Sequence, residues 1–140
     1  MRDDQWELLT AITAGARLDA APAGFIIDSP WLPNWAGETI LDYFASDEVW
    51  FDSNLRAIEA FPNILFLPGF WSEYGMCTEP SAFGAKCVFH ENEFPFAHKL
   101  IAESMTIPPL DVPNPTTDGL APFVLRRLTR LRPHIEAAGH

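Results

Sequence analysis

The chain is poor in cysteine. Two residues, Cys77 and Cys87, stand nine residues of chain apart in a sequence of 140. That is too few for a disulfide framework, and no Cys-x-x-Cys pair is present. Basic residues are scarce as well: nine Lys and Arg face 19 Asp and Glu, for a formal charge of −10. So acidic a chain repels phosphate backbones and anionic lipid surfaces, so neither nucleic acid nor membrane is an expected partner. No apolar run approaches the roughly 20 residues a membrane helix needs. Met1-Arg2-Asp3-Asp4 is charged and leads into an amphipathic segment, unlike a secretory signal. Also missing are a Gly-rich phosphate loop, a Walker motif, a His-Glu-x-x-His pair and a nucleophile elbow, as well as internal repeats and low-complexity tracts. The expected compartment is the cytoplasm.

What is present suffices for a core. Hydrophobic residues make up 48% and aromatics 13%, including 11 Phe and 5 Trp, in a length typical of one domain spanning 1–140. The 13 prolines cluster at 22–33, 62–68 and 108–122 and read as punctuation between short elements.

The pattern predicts a helix over 4–17 with Trp6, Leu9, Ile12 and Ala16 on one face. Gly24 to Asp28 reads as a short buried strand, and Glu38 to Ala45 as one or two helical turns. Ser46-Asp47-Glu48 is a helix start, with Ser46 as cap and two acids in the first turn. That helix runs to about Phe61, placing Trp50, Asn54, Ala57, Ile58 and Phe61 on one side, until Pro62 stops it. Ile64-Leu65-Phe66-Leu67 is a continuous apolar run, the mark of a strand covered on both faces.

Ser72 to Phe83 reads as partly helical. Residues 85–90 and 94–98 read as a hairpin, followed by a short helix near 99–105 and a Pro-rich connection at 108–115. The last helix has Asp118 as cap and Pro122 in its first turn. Val124, Leu128, Leu131 and Ile135 form its apolar stripe, while Arg126, Arg127, Arg130 and Arg132 occupy the other faces. Pro133 is expected to kink it and Gly139 to end it. Strands followed by helices are the grammar of a parallel α/β fold. A complete (β/α)8 barrel takes roughly 250 residues, so only the first portion of one fits.

Several stretches, in order, resemble the N-terminal part of the uroporphyrinogen decarboxylase superfamily, which includes the decarboxylases and the corrinoid-dependent methyltransferases. They are the opening helix with Ala23-Gly24-Phe25-Ile26-Ile27, the Asp47-Glu48 helix running into Phe61-Pro62-Asn63-Ile64-Leu65-Phe66, and Ala82-Phe83-Gly84-Ala85-Lys86-Cys87-Val88-Phe89. Glu93-Phe94-Pro95 and Pro113-Asn114-Pro115-Thr116-Thr117-Asp118-Gly119-Leu120 complete the series. The resemblance implies the N-terminal portion of a (β/α)8 barrel, with two parallel-type strands, flanking helices and a small hairpin. It further implies an excised segment, a proteolytic fragment or a split gene product, inactive alone.

Two departures bear on activity. The family's decarboxylases hold substrate carboxylates with an arginine-rich loop after the first strand, a task suited to bidentate guanidinium. Here Asp28 to Trp35 contains no arginine. Their catalytic aspartate follows the second strand, where this chain has Leu67-Pro68-Gly69. The methyltransferase branch is therefore favoured over uroporphyrinogen decarboxylase activity. The zinc and corrinoid implied for that branch are expected outside this segment, which is expected to bind no cofactor itself.

Barrel sites lie at the C-terminal ends of strands. The candidate substrate-binding group is accordingly Asp28, Trp31 and Trp35 after the first strand, and Trp71, Glu73 and Tyr74 after the second. An aromatic wall with carboxylates suits a flat or methyl-bearing small molecule. The plainer alternative is tryptophans that plug the mouth and an Asp28 that caps a turn. Cys77, Cys87, His90 and His98 invite a zinc reading, but buried thiols and surface histidines explain them equally. The arginines of the last helix fit a solvated face, or a site for an acidic partner or a phosphate. Partners expected are the remaining barrel segment or a second copy of the chain. The contrasting reading is a non-catalytic binding or assembly module.

Overall fold

A computed structural model describes residues 1–27, 30–101 and 109–140. The elements run α1 (Asp3–Thr13), β1 (Ala23–Phe25), α2 (Leu32–Ala36), α3 (Ile40–Ala45), α4 (Asp47–Ala60) and β2 (Ile64–Phe66). They continue with α5 (Thr78–Ala82), β3 (Cys87–Val88), β4 (Phe96–Ala97) and α6 (Ala121–Ala137). The mixed helix and strand class is as expected. Strands β1 and β2 pair in parallel, Ala23 opposite Ile64 and Phe25 opposite Phe66, while β3 and β4 form the antiparallel hairpin. Parallel neighbours need a crossover long enough to bring the chain back, and α2, α3 and α4 supply it. Among the described residues no helix is long and apolar enough to cross a membrane.

Helix α4 is the centre of the core. Ser46 caps it, its hydroxyl oxygen accepting from the Val49 N–H at 3.2 Å. Trp50, Asn54, Ala57 and Ile58 recur at helical spacing and all are buried, against Leu32 of α2, Tyr43 and Phe44 of α3, and Leu131 of α6. Two polar side chains on its buried face are partnered, as burial demands. Trp50 Nε1 donates to the Trp71 carbonyl at 3.0 Å, and Asn54 Nδ2 donates to the Trp50 carbonyl at 2.8 Å and to Tyr43 Oη at 3.1 Å.

Helix α1 lies along the side of β2 away from β1. Leu67 N–H donates to Phe25 across the pair, and strand groups alternate sides, so the Ile64 carbonyl faces outward. There the buried Gln5 amide donates to it at 3.2 Å.

Several expectations change. Strand β1 is not covered: its three residues are exposed, Phe25 at 54%, and among the described residues β2 is its only strand partner. In α1 the inward residue is Gln5, and Trp6 is 60% exposed, since the carbonyls at Pro62 and Ile64 draw the amide inward. Asp118 does not cap α6; its carboxylate accepts from the Asn114 N–H at 2.7 Å and closes the turn before the helix, leaving Leu120 at the cap. Arg127, placed on a solvated face by pattern, is 2% exposed, whereas Leu128 is 39% exposed. The inward line of α6 is therefore the buried Arg127 and Leu131, flanked by the half-buried Val124 and Ile135. Pro133 lies within α6, which runs on to Ala137. The helix expected near 99–105 falls mostly outside the described residues, and residues 99–101 are not helical.

Replacing Trp50 by Ala removes the largest fully buried side chain and the bond to Trp71. The expected cost is about 3–5 kcal/mol, read as a lower urea midpoint with the slope unchanged.

Candidate functional site

The parallel pair carries an apolar groove of about 580 Å³, lined by Phe25, Ile26 and Ile27 from β1 and its continuation, by Trp31, and by Phe61, Ile64 and Phe66 around β2. Its aromatic end is built by short-range packing. Trp31 stacks on Trp35 at 5.4 Å between ring centroids, and both lean on Phe61, at 6.3 and 5.7 Å. Arg56 also contacts Trp35, its guanidinium 5.7 Å from the ring and its Nη1 donating to the Ala36 carbonyl at 2.9 Å. With Ile26 67% and Trp31 43% exposed, the groove opens to solvent. It offers shape and apolar surface to a flat or aliphatic group.

The sequence-derived residues divide between two places. Trp31 and Trp35 come together at the groove. Tyr74 lies at a separate polar pocket of about 370 Å³, shared with Asp47, Glu48, Arg126, Arg127 and Arg130. The two cavities have no lining residue in common. The reason is directional: Trp31 packs on Phe61, which precedes β2, whereas Trp71 and Tyr74 follow it. Trp71 is half-buried and lends its carbonyl to Trp50, and Glu73 is half-buried. Asp28 lies outside the described residues.

Around Tyr74 the chemistry is ionic. Its ring stacks on Phe44 at 5.7 Å and receives the Arg127 guanidinium at 5.3 Å. Burial raises its hydroxyl pKa above the ordinary value, against the pull of Arg127. Arg127 Nε donates to Asp47 at 2.8 Å and its Nη2 donates to the Phe44 carbonyl at 2.6 Å, while its buried Nη1 has no acceptor among the described residues. Arg130 takes the second Asp47 oxygen at 3.1 Å. Sequence reasoning missed Arg127 by assigning it to a solvated face. The available signal was its spacing, three residues after Val124 and four before Leu131. It also missed the strand side chains of the groove, which an apolar run presents as interior.

Among the described residues no group of three or more His, Cys, Asp or Glu stands where it could hold a metal ion. Cys77 is fully buried, and the Cys87 thiol lies 3.8 Å from its carbonyl. Burial first, then the neighbouring Cys87, pushes the Cys77 thiol up to about 12, so at neutral pH it is protonated and a poor nucleophile. A Cys87→Ser variant is therefore expected to leave a folded protein that does not react with Ellman's reagent at pH 8 and reacts once urea unfolds it. Rapid reaction of the folded variant would place Cys77 at the surface.

Compared with known protein families, with curated proteins and with solved structures, the chain finds no match.

Proposed function

We propose that this chain is the N-terminal segment of a uroporphyrinogen decarboxylase-like protein of the corrinoid-dependent methyltransferase type. In this reading it forms one wall of a substrate mouth and is catalytically incomplete by itself. The observation that carries the reading is the parallel β1–β2 pair joined through α2, α3 and α4. A (β/α)8 barrel repeats parallel strands joined through helices, so this arrangement supports the reading. The exposed outer side of β1 supports the reading further, because the first strand of an unfinished barrel has a neighbour still to come.

The aromatic groove then encloses an apolar or methyl-bearing part of a small-molecule substrate. Zinc and corrinoid chemistry belongs to the remainder of the barrel, which is also the expected partner. A second reading, a non-catalytic assembly module, draws on the same exposed strand, with a second copy of the chain in place of the missing segment.

Two measurements test these readings. The full product of the gene, given a methylated corrinoid and a thiol acceptor, is expected to transfer methyl groups with zinc present and to stop when zinc is chelated. A folded product with no turnover in either state rejects the methyltransferase reading. The 140-residue chain is expected to self-associate in size-exclusion chromatography with light scattering. A stable monomer ending at a natural stop codon counts against both the fragment and the assembly module.

A further inference from the structure

We propose that the polar pocket between the start of α4 and the outer face of α6 is an oxyanion site, taking the phosphate or carboxylate head group of a small molecule. The pocket has a volume of about 370 Å³. Arg126, Arg127 and Arg130 bring three positive charges to it, and Asp47 and Glu48 bring two negative ones. One positive charge is left over, on a chain whose total is −10. An anion avoided by the rest of this surface is attracted here.

Each wall has a distinct role. Arg127 is the floor: it is 2% exposed, bonded to Asp47 and Phe44, and left with a buried Nη1 that no described acceptor satisfies. A buried guanidinium with an open donor keeps a positive potential under the pocket. Asp47 is spent, one oxygen on Arg127 and the other on Arg130.

Arg126 is different. Its guanidinium lies 4.7 Å from the Phe123 ring and makes no ion pair among the described residues. The Tyr74 hydroxyl donates no hydrogen bond there, and Ser46, whose oxygen accepts from Val49, keeps its own proton to give. An ion knot serving only to join helices needs Arg127, Asp47 and Arg130. It needs neither Arg126 nor two unused hydroxyl donors at the same cavity. A group with several acceptor oxygens uses them all, and charge-assisted bonds from arginine are the strongest of that kind.

The test uses inorganic phosphate as the probe, by isothermal titration calorimetry at fixed ionic strength, with chloride as the reference anion. Succinate in a parallel arm separates carboxylate from phosphate recognition. The unmodified chain is expected to bind one of the two anions, and Arg132→Ala, which alters an α6 arginine paired with Glu136 away from the pocket, is expected to bind equally. Arg126→Ala is expected to weaken binding about tenfold or more while keeping the circular dichroism and urea midpoint of the unmodified chain. Tyr74→Phe, which keeps the ring, is expected to weaken it less. Binding unchanged in Arg126→Ala overturns the proposal, as does the absence of any heat beyond that of chloride for both anions.

Discussion

The fold closes on one buried cation. Arg127 reaches from the last helix to the junction of α3 and α4, where it bonds to the Asp47 side chain and the Phe44 carbonyl, and lies against the rings of Trp50 and Tyr74. Its partners are 80 and 83 residues away in sequence. A guanidinium taken from water costs several kcal/mol unless its charge and hydrogen bonds are met nearby. Position and orientation of α6 are therefore set by where Asp47 and Phe44 stand, and those depend on the Ser46 cap and the first turn of α4. The apolar contacts around Leu131 add stability, but many arrangements would bury a leucine. Few would bring Asp47 and the Phe44 carbonyl to this arginine together.

The same constraint shapes the surface. Because Asp47 is divided between Arg127 and Arg130, the cavity beside them stays cationic in an otherwise acidic molecule. At the strand pair the opposite holds. There the backbone is bonded on one side, shielded by Gln5 on another and open along β1, and the side chains nearby are almost all apolar. One region attracts by charge and the other by exclusion of water. The path of the chain after β2 separates them, turning through Gly69 and Phe70, both with positive φ. Phe70, at φ 49°, holds a backbone state that costs on the order of 1 kcal/mol. Its ring is fixed between Trp50 and Phe51, at 5.8 and 5.5 Å.

Much of this was legible from residue order. The cap at Ser46, the buried line of α4, the apolar run of β2 and the hairpin after Ala85 all follow from local patterns strong enough to survive packing. Less was legible where long-range partners decide. Gln5 outranks Trp6 for the interior because distant carbonyls need a donor, and no window on α1 contains that information. Arg127 outranks Leu128 for the same reason, with Asp47 and Phe44 as the distant partners. Strand β1 has the composition of a covered strand, yet its three residues are exposed, with β2 as its one strand partner among the described residues. As for the candidate site, Trp31 and Trp35 were readable as a group because both follow the first strand, whereas helix α2, which sets them one turn apart, was not foreseen. Their separation from Tyr74 was not readable, since it depends on which end of β2 each side chain meets.

The long reach of Arg127 also bears on the order of events during synthesis. Helix α6 is made after α3 and α4, so Asp47 and the Phe44 carbonyl wait 80 and 83 residues of synthesis for Arg127. Until it leaves the ribosome, the rings of Trp50 and Tyr74 lack the guanidinium that covers them. The nascent chain then presents a sticky aromatic face of the kind chaperones engage. A polypeptide stalled before residue 127 would lack this deeply buried charge and the lock that sets its helices.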